Sequence, residues 1–300
     1  MEGDIPVLQA RGKTAPEAWE SSVLSLWEQG VRVKTEYDRE GDEPSRDSTM
    51  VLVVEEPMAE PRIHLAFPGG IEELEKYRQE VLFGVHDHWI RPEEDKWTYT
   101  YHQRLSAYAP VADLSSSRVK SPFPPVDQVR YIIDKLAGSP HSRRAQGITW
   151  MPTADPATDD PPCLQRIWCR LIPTGEKGAG SRVQGSGETD AELALNMNTH
   201  WRSRDAYKAA FMNIYALTEL QNWLAEQIGR KMGRKVAVGR YVDISDSYHI
   251  YGAYFKEFSE RFLKLVKERP FEKRVWRTDD RRVQAAIQAA RDELAKEKRD

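Results

Sequence analysis

The sequence has few cysteines, no long apolar run and almost no net charge, and each lack excludes a class of protein. Cys163 and Cys169 are the only cysteines in 300 residues, too few for a disulfide-stabilised secreted domain or a cysteine-based zinc or iron–sulfur site. No run approaches the ~18 apolar residues that span a bilayer, and the amino terminus lacks a signal peptide's basic and apolar regions. We therefore expect a cytoplasmic protein without a metal site.

Positive and negative charges nearly cancel. Lys and Arg total 44 and Asp and Glu total 47, which gives a formal net charge of −3. No overall positive field attracts polyanions, so a protein dedicated to coating DNA or RNA is disfavoured. A hydrophobic content of 40%, with 9 Trp residues, is enough to fill a large core.

Helical and strand-like patterns alternate along the chain. TMVLVV at 49–54 and the alternating apolar residues of ELALNMNTHW at 192–201 predict strands. Helices between partly polar strands indicate an α+β domain with a mixed sheet rather than a helical bundle. We divide the chain into a domain of residues 1–278 and a charged C-terminal helix, 279–300. Apolar residues spaced by three and four predict further helices over 17–29, 70–83, 126–138, 207–231 and 254–267.

Cys163 and Asn213 are the two residues whose setting suggests chemistry. Cys163 follows the turn DDPP and opens the apolar run LQRIWCRLI, so we expect its thiol at the start of a strand, near a cleft. Nearby arginines would lower its pKa from about 8.5, whereas an inert buried cysteine is the alternative. Asn213 lies in the apolar stretch AAFMNIYAL, and a buried amide must find hydrogen-bond partners. It caps a helix or reads the edge of a base.

Four motifs occur in an order shared with one enzyme family. They are DREG at 38–41, SRRAQGITWMPTADPATDDPPC at 142–163, WRSRDAYKAAFMN at 201–213 and DSYHIYG at 246–252. Together they resemble the thymidylate synthase family, which includes pyrimidine nucleotide hydroxymethylases. In that family the matching elements are the phosphate-loop arginine, a paired-arginine strand leading to a Pro-Cys nucleophile, an Arg-Ser-x-Asp motif ending in a base-reading Asn, and a His-x-Tyr sugar element.

The resemblance implies a fold, a reaction and a set of site residues. The fold is an α+β sandwich around a mixed, twisted sheet whose face forms the homodimer interface. Cys163 attacks C6 of a pyrimidine nucleoside monophosphate as thiolate, C5 takes a one-carbon unit from 5,10-methylenetetrahydrofolate, and Glu80 organises proton transfer. The remaining implied roles belong to Arg39, Arg202 and Ser203 at the 5′-phosphate, Arg143 and Arg144 at the partner subunit's phosphate, His249 and Tyr251 at the sugar, Asn213 at the base, and Asp205 at the folate pterin.

Departures from the family pattern bear on the product. Leu164 replaces the family's usual His after the nucleophile, and the segment before Asn213 is altered, so the pocket is remodelled. The charged end KEKRD stands where thymidylate synthases have a short apolar tail that closes over the folate and excludes water. A site that admits an ordered water would yield a hydroxymethyl group. We therefore favour hydroxymethylation over methylation of dUMP to dTMP.

The sequence leaves the base, the sugar and one tyrosine undecided. Asn213 favours a uridylate, but a flipped amide suits cytosine, so UMP, dUMP, CMP and dCMP are all candidate substrates. Either Tyr99 or Tyr101 takes the place of the family's tyrosine in this region. The chain could also be a catalytically inactive member that binds a nucleotide or RNA, although Cys163 and Glu80 are both present.

Overall fold

A mixed sheet organises the protein. The computed structural model describes residues 3–91, 94, 97–109, 123–174 and 192–297. Within these ranges the main sheet has seven strands in the order β1-β3-β8-β7-β6-β5, with β2 paired to β3, and β4 pairs with β9 separately. The strands are β1 (Val7–Gly12), β2 (Val31–Val33), β3 (Ser45–Val54), β4 (Ile63–His64), β5 (Gln146–Ile148), β6 (Leu164–Pro173), β7 (Leu193–Asp205), β8 (Val236–Ile250) and β9 (Val275–Trp276).

The sheet contains both parallel and antiparallel pairings. β1 runs parallel to β3, and β7 runs parallel to β8. β3 is antiparallel to β8, and β6 is antiparallel to both β7 and β5. The two long central strands, β7 and β8, are joined by a helix, as a parallel crossover requires. Because the two strands are parallel neighbours, their carboxyl ends lie side by side at the same end of the sheet.

Local signals explain the helix ends. Thr14 and Glu17 form a capping box that opens α1 (Ala15–Gln29), with a proline in its first turn. α2 (Gly70–Phe83) ends at Gly84, whose φ of 60° suits a residue without a side chain. The remaining helices are α3 (Tyr101–Ser106), α4 (Gln128–Gly138), α5 (Ala210–Met232), α6 (Phe255–Phe258), α7 (Lys264–Glu268) and α8 (Arg281–Glu297).

The core lies between one face of the sheet and the helices. α1 packs on β1 and β3, α4 on β5 and β6, and α5 on β7 and β8. Trp19 of α1 is fully buried, donates its indole N–H to the Ala206 carbonyl at 2.8 Å and contacts Phe211 with ring centroids 5.0 Å apart. α2 packs on α5, and α8 packs on α2. Burial of apolar surface is the main driving force for folding, and large rings such as these contribute large areas of it.

The alternation of buried and exposed residues is interrupted near the ends of the two central strands. Arg202 and Ser203 of β7 both lie outside the core, whereas strict alternation would bury one of them. β8 shows the same break at Asp246 and Ser247, and Ser203 pairs with Ser247. Because both strands break at the same level, the polar residues beyond it face one common region of the surface. That region is the mouth of the cleft described below.

The α+β class and the mixed sheet predicted from the sequence are confirmed, and several boundaries differ. β3 begins at Ser45, four residues before the strand predicted over 49–54. The helix expected over 254–267 is interrupted by a π-helical turn at Ser259–Leu263. Residues 298–300 of the charged tail lie outside the described residues. None of the helices described combines the length and apolar character needed to cross a membrane.

Candidate active site

One cleft with two lobes lies at the ends of the central strands. Both lobes are lined by Asp159 and Asp160, which makes them neighbours. The first lobe, of about 740 Å³, contains Cys163 and is further lined by Thr35, Glu36, Tyr37, Arg202, Ser203, Ser247, His249 and Tyr251. The second lobe, of about 700 Å³, contains Glu80 and is further lined by Trp97, Thr98, Tyr99, Thr100, Tyr101, Ala157 and Thr158.

The main chain holds Cys163 from both sides. The two preceding residues are prolines without N–H groups, so pairing in the sheet begins only at Leu164. The Cys163 carbonyl accepts a hydrogen bond from the Arg202 amide at 2.9 Å. The next amide, that of Leu164, donates to the Tyr101 hydroxyl at 3.3 Å. Cys163 is therefore an anchored, partly buried thiol at the cleft wall, just before the first residue of a strand.

Burial and charge act on this thiol in opposite directions. Burial raises the pKa of Cys163 above its usual range, and the nearby carboxylate of Asp160 raises it further. The positive charges of Arg202 and Arg204 lower the same pKa. The net effect is a raised pKa, so the free protein holds Cys163 mainly as the neutral thiol at pH 7.

Removing the Asp160 charge should therefore activate the thiol. In Asp160→Asn, iodoacetamide should alkylate Cys163 roughly two- to fivefold faster at pH 8, because the thiolate fraction rises when the pKa falls by a few tenths of a unit. Asp159→Asn is the matched control, since Asp159 lines the same cleft without contributing to the shift. Alkylation would be followed by peptide mass. Equal rates in the two variants would contradict this electrostatic account.

Arg202 braces the loop that carries the nucleophile. Its Nε donates to the Pro162 carbonyl at 3.1 Å and its Nη2 to the Pro161 carbonyl at 2.6 Å. The planar guanidinium can span two carbonyls in this way because its donors are rigidly spaced. Arg202 also lines the Cys163 lobe, where its remaining donor capacity can meet an anion.

Arg204 lies on the opposite side of the strand, beneath the cleft. It is 3% exposed, forms an ion pair with Asp243, and stacks over the Trp201 ring with its guanidinium carbon 4.3 Å from the centroid. Its Nη2 also donates to the Ala210 carbonyl at 2.9 Å. A buried charge needs such partners, and here they place a positive charge close to the nucleophile.

The end of β8 supplies the opposite wall of the Cys163 lobe. Ser247, His249 and Tyr251 alternate in sequence and therefore face the same way. His249 is 5% exposed, and burial lowers its pKa to about 4, so the ring is neutral at pH 7. Its ring contacts that of Tyr251, with centroids 4.5 Å apart. This wall presents a neutral imidazole beside a phenol.

Glu80 is a buried carboxyl in the second lobe. Burial raises its pKa, which favours the protonated form that a proton donor needs. His86 Nδ1 lies 2.8 Å from its Oε2. Gly84, which has a positive φ, lies between Glu80 and His86 in the sequence. A Cβ added to Gly84 would lie 2.2 Å from His102 Nδ1. Only glycine fits a turn this close to its neighbours.

Aromatic residues line the second lobe around Glu80. Tyr99 and Tyr101 contact each other with centroids 5.7 Å apart, and Trp97 completes this wall. The Tyr101 hydroxyl is the one that reaches the main chain beside Cys163. The sequence does not distinguish Tyr99 from Tyr101 as the counterpart of the family's tyrosine, and both line this lobe. Flat apolar faces with polar edges suit a planar heteroaromatic ligand.

The structure places some of the predicted site residues away from the cleft lining. Arg39 is exposed in the turn before β3. Arg143 and Arg144 are exposed just before β5. Asn213 is 6% exposed and donates from Nδ2 to the Tyr77 hydroxyl at 2.8 Å, so it does not cap a helix.

Asp205 also has a structural task. Its Oδ1 accepts hydrogen bonds from the amides of Tyr207 at 2.9 Å and Lys208 at 2.8 Å, which closes the turn after β7. Burial raises the pKa of Asp205 to about 6 even though these amides favour the charged form. The folate role implied for this residue remains a prediction, because Asp205 is not part of the lining of either lobe.

Sequence reasoning missed several residues that shape the cleft. Asp159 and Asp160 look only like part of a turn in the sequence, although they line both lobes. Ser247 was missed although it stands two residues before His249, on the same side of the strand. Ser247, His249 and Tyr251 are spaced by two residues, and this spacing was the signal that could have identified Ser247.

Comparisons with known proteins agree with this geometry. A family model described as thymidylate synthase matches residues 77–290, more than half of the chain. A protein of Methanosarcina mazei named "Putative thymidylate synthase" is 28% identical over 241 residues, covering 80% of this chain and 88% of that protein. One of the same name from Methanocaldococcus jannaschii is 26% identical over 258 residues, covering 83% and 95%. The chain therefore belongs to the thymidylate synthase family and is a one-carbon transferase.

Proposed function

We propose that this protein transfers a one-carbon unit from 5,10-methylenetetrahydrofolate to C5 of a pyrimidine nucleoside 5′-monophosphate. The observation that carries the proposal is the two-lobed cleft, with an anchored thiol in one lobe and a buried carboxyl in the second. Two adjacent lobes of similar volume suit two substrates that react with each other. The nucleotide occupies the Cys163 lobe, and the folate occupies the Glu80 lobe.

The Cys163 lobe offers groups for the phosphate and the sugar of a nucleotide. Arg202 and Ser203 bind the 5′-phosphate, because a dianion needs charge-assisted donors. His249 and Tyr251 bind the sugar. Asn213, whose amide is held by a tyrosine hydroxyl on α2, recognises the base from outside the lining of the two lobes. Arg39 joins the phosphate site when its turn folds over the nucleotide.

The chemistry begins at the nucleophile. Cys163 adds as thiolate to C6 of the ring, the sulfur–carbon bond forms, and the C5–C6 electron pair moves onto C5. The charges of Arg202 and Arg204 favour the thiolate required for this step. Glu80 delivers and removes protons at the ring, as its raised pKa allows. C5 would then take up the carbon that the folate supplies, with the electron pair of the broken carbon–nitrogen bond leaving on the folate. Loss of the C5 proton, addition of water to that carbon and expulsion of the Cys163 thiolate would then restore the aromatic ring.

The residues of the second lobe fit a folate. Trp97, Tyr99 and Tyr101 present ring faces to a flat pterin, and Glu80 lies beside them. When bound, the folate supplies a carbon at the oxidation level of formaldehyde. Asp205 would contribute to the pterin site only if its free carboxylate oxygen turned toward this lobe.

The polar part of the same lobe favours hydroxymethylation over methylation. Thr98 and Asp159 line it beside the aromatic residues. Hydroxyls and carboxylates provide the several hydrogen bonds that hold an ordered water in place. A water held there can supply the hydroxyl group of a 5-hydroxymethyl product.

The proposal is tested by incubating the protein with 5,10-methylenetetrahydrofolate and, separately, UMP, dUMP, CMP and dCMP. The mass of each product is read by liquid chromatography and mass spectrometry, with Cys163→Ala as the inactive control. A gain of CH₂O on one nucleotide is the expected result, and it identifies base and sugar together. A gain of CH₂ with dihydrofolate would establish methylation instead. Nucleotide binding without product from any of the four would favour an inactive member of the family.

A homodimer through the open sheet face follows from the same proposal. That face includes Val7, Ile148 and Ile172, which are 73%, 41% and 41% exposed in the single chain. Pairing it with a second copy would carry Arg143 and Arg144 toward the partner's phosphate site. Mixing an Arg143→Ala/Arg144→Ala chain with a Cys163→Ala chain should then restore roughly a quarter to a half of the activity. No recovery despite proven subunit exchange would mean that these arginines serve their own subunit.

A further inference from the structure

Three side chains form a hydrogen-bonded line beneath the sugar end of the Cys163 lobe. Asp47 of β3 and His249 of β8 are partners across the antiparallel pair. Ser247 lies between their side chains, with its Oγ 2.8 Å from Asp47 Oδ2 and 3.2 Å from His249 Nδ1. The line joins residues 200 positions apart in the sequence.

The direction of each hydrogen bond follows from what each group can donate. A carboxylate only accepts, so Ser247 gives its single hydroxyl proton to Asp47. The Ser247 oxygen can then only accept from the histidine, which requires the ring proton to be on Nδ1. The Ser247 backbone adds a hydrogen bond that also stabilises a protonated ring nitrogen. Asp47 is held in turn by the Ser48 amide.

The opposite nitrogen of the ring is left as an acceptor. His249 Nε2 is buried and has no hydrogen-bond partner among the described residues. The ring is 5% exposed and belongs to the wall of the Cys163 lobe. Buried polar atoms in folded proteins are rarely unpaired, so an unpaired acceptor beside a cleft points to a ligand that donates.

We propose that Asp47 and Ser247 are positioning residues that hold His249 in its Nδ1–H tautomer, so that Nε2 accepts a hydrogen bond from a sugar hydroxyl of the bound nucleotide. The proposal rests on the proposed function for the identity of the ligand. The hydrogen bonds among Asp47, Ser247 and His249 do not depend on that identity. It makes the sugar site selective for a free hydroxyl, because a bare nitrogen lone pair rejects an ether oxygen at the same place.

The tautomer is measured directly on the free protein. Long-range ¹H–¹⁵N correlation spectra of histidine-labelled protein distinguish a protonated ring nitrogen from a bare one. We expect His249 to show a protonated Nδ1 and a bare Nε2. His200 serves as the internal reference, because its Nε2 contacts Asp246 instead, at 3.0 Å. A His249 ring with its proton on Nε2 would overturn the proposal.

The consequence for recognition is measured with nucleotide analogues. UMP, dUMP, CMP and dCMP are compared with their 3′-O-methyl ethers, and the two ribonucleotides also with their 2′-O-methyl ethers. The native protein should bind the parent of at least one pair roughly tenfold more tightly, about the worth of one hydrogen bond to a buried partner. Ser247→Ala should lose most of this discrimination, since the ring can then turn its proton toward the ether. Ser247→Thr keeps the hydroxyl and should retain it.

The outcomes separate this proposal from the proposed function. An Nδ1–H tautomer in a protein that binds none of the four nucleotides would refute the proposed function and leave the positioning role standing. Nucleotide turnover with unchanged discrimination in Ser247→Ala would refute the positioning role alone. Asp47→Asn adds a second variant of nearly the same shape, and it should weaken the Nδ1–H preference without unfolding the strand pair.

Discussion

Replacing Cys163 by alanine is expected to abolish one-carbon transfer while leaving nucleotide binding almost unchanged. The loss should be at least ~10⁴-fold in kcat, because no second thiol is available among the residues that line the described cleft to form the covalent bond to C6. The loop is held through its main chain by Arg202 and Tyr101 rather than through the thiol, so it should keep its place. Rates would be measured by product mass and affinities by calorimetry.

Cys169→Ala is the matched control for this prediction. Cys169 is fully buried on the core side of the same strand, and burial raises its pKa to about 12. Its loss should therefore cost some stability through the small cavity it leaves, with kcat within about threefold of the native value. Comparable loss of activity in the two variants would show that the thiol at 163 has no special role.

Replacing Arg202 by alanine should have the second largest effect, because this residue acts in two ways. It braces the carbonyls of Pro161 and Pro162, and it lines the lobe proposed for the nucleotide. Loss of two charge-assisted contacts to a phosphate should weaken nucleotide binding by at least ~100-fold. Lysine should not rescue it, since a single ammonium cannot span both carbonyls and a phosphate.

A nucleoside separates the two roles of Arg202. Uridine and cytidine lack the phosphate, so a purely phosphate-binding arginine would leave their weak affinity unchanged. We expect their affinity to fall by roughly threefold to tenfold as well, because the loop that carries Cys163 loses its brace. Arg130→Ala is the control, since Arg130 lies on the exposed side of α4, away from the cleft. Native nucleotide affinity in Arg202→Ala would remove the proposed phosphate site.

Local pattern predicted much of this molecule. The helix over 70–83 was predicted with the bounds that the structure shows, because its apolar spacing and terminal glycine are both local signals. The position of Cys163 at the start of a strand followed from the prolines before it. The order of four short motifs predicted a common site before any contact was known, and several of those residues do line one cleft.

Features that depend on distant contacts could not be predicted. The alternation of buried and exposed residues is interrupted at the same level in β7 and β8. No local pattern in either strand predicts that the two will pair there. Asp47 lies before the strand predicted over 49–54, and only the pairing of β3 with β8 brings it to Ser247. Asn213 is recognisable in the sequence as a polar residue in an apolar stretch, but its hydrogen-bond partner lies on a helix 136 residues away in the sequence. Such contacts follow from topology rather than from propensity.

The central claim is covalent attack by Cys163, and the most direct measurement is the mass of the protein trapped with a 5-fluoropyrimidine nucleotide. Fluorine at C5 cannot leave as a proton does, so a ring that has been attacked at C6 and substituted at C5 stays bound. The protein is incubated with 5,10-methylenetetrahydrofolate and the 5-fluoro form of each of the four nucleotides, then digested and mapped. We predict a stoichiometric adduct containing the nucleotide on the peptide with Cys163 and none in Cys163→Ala. Product formation from the natural nucleotide without such an adduct, or an adduct on another residue, would contradict the account.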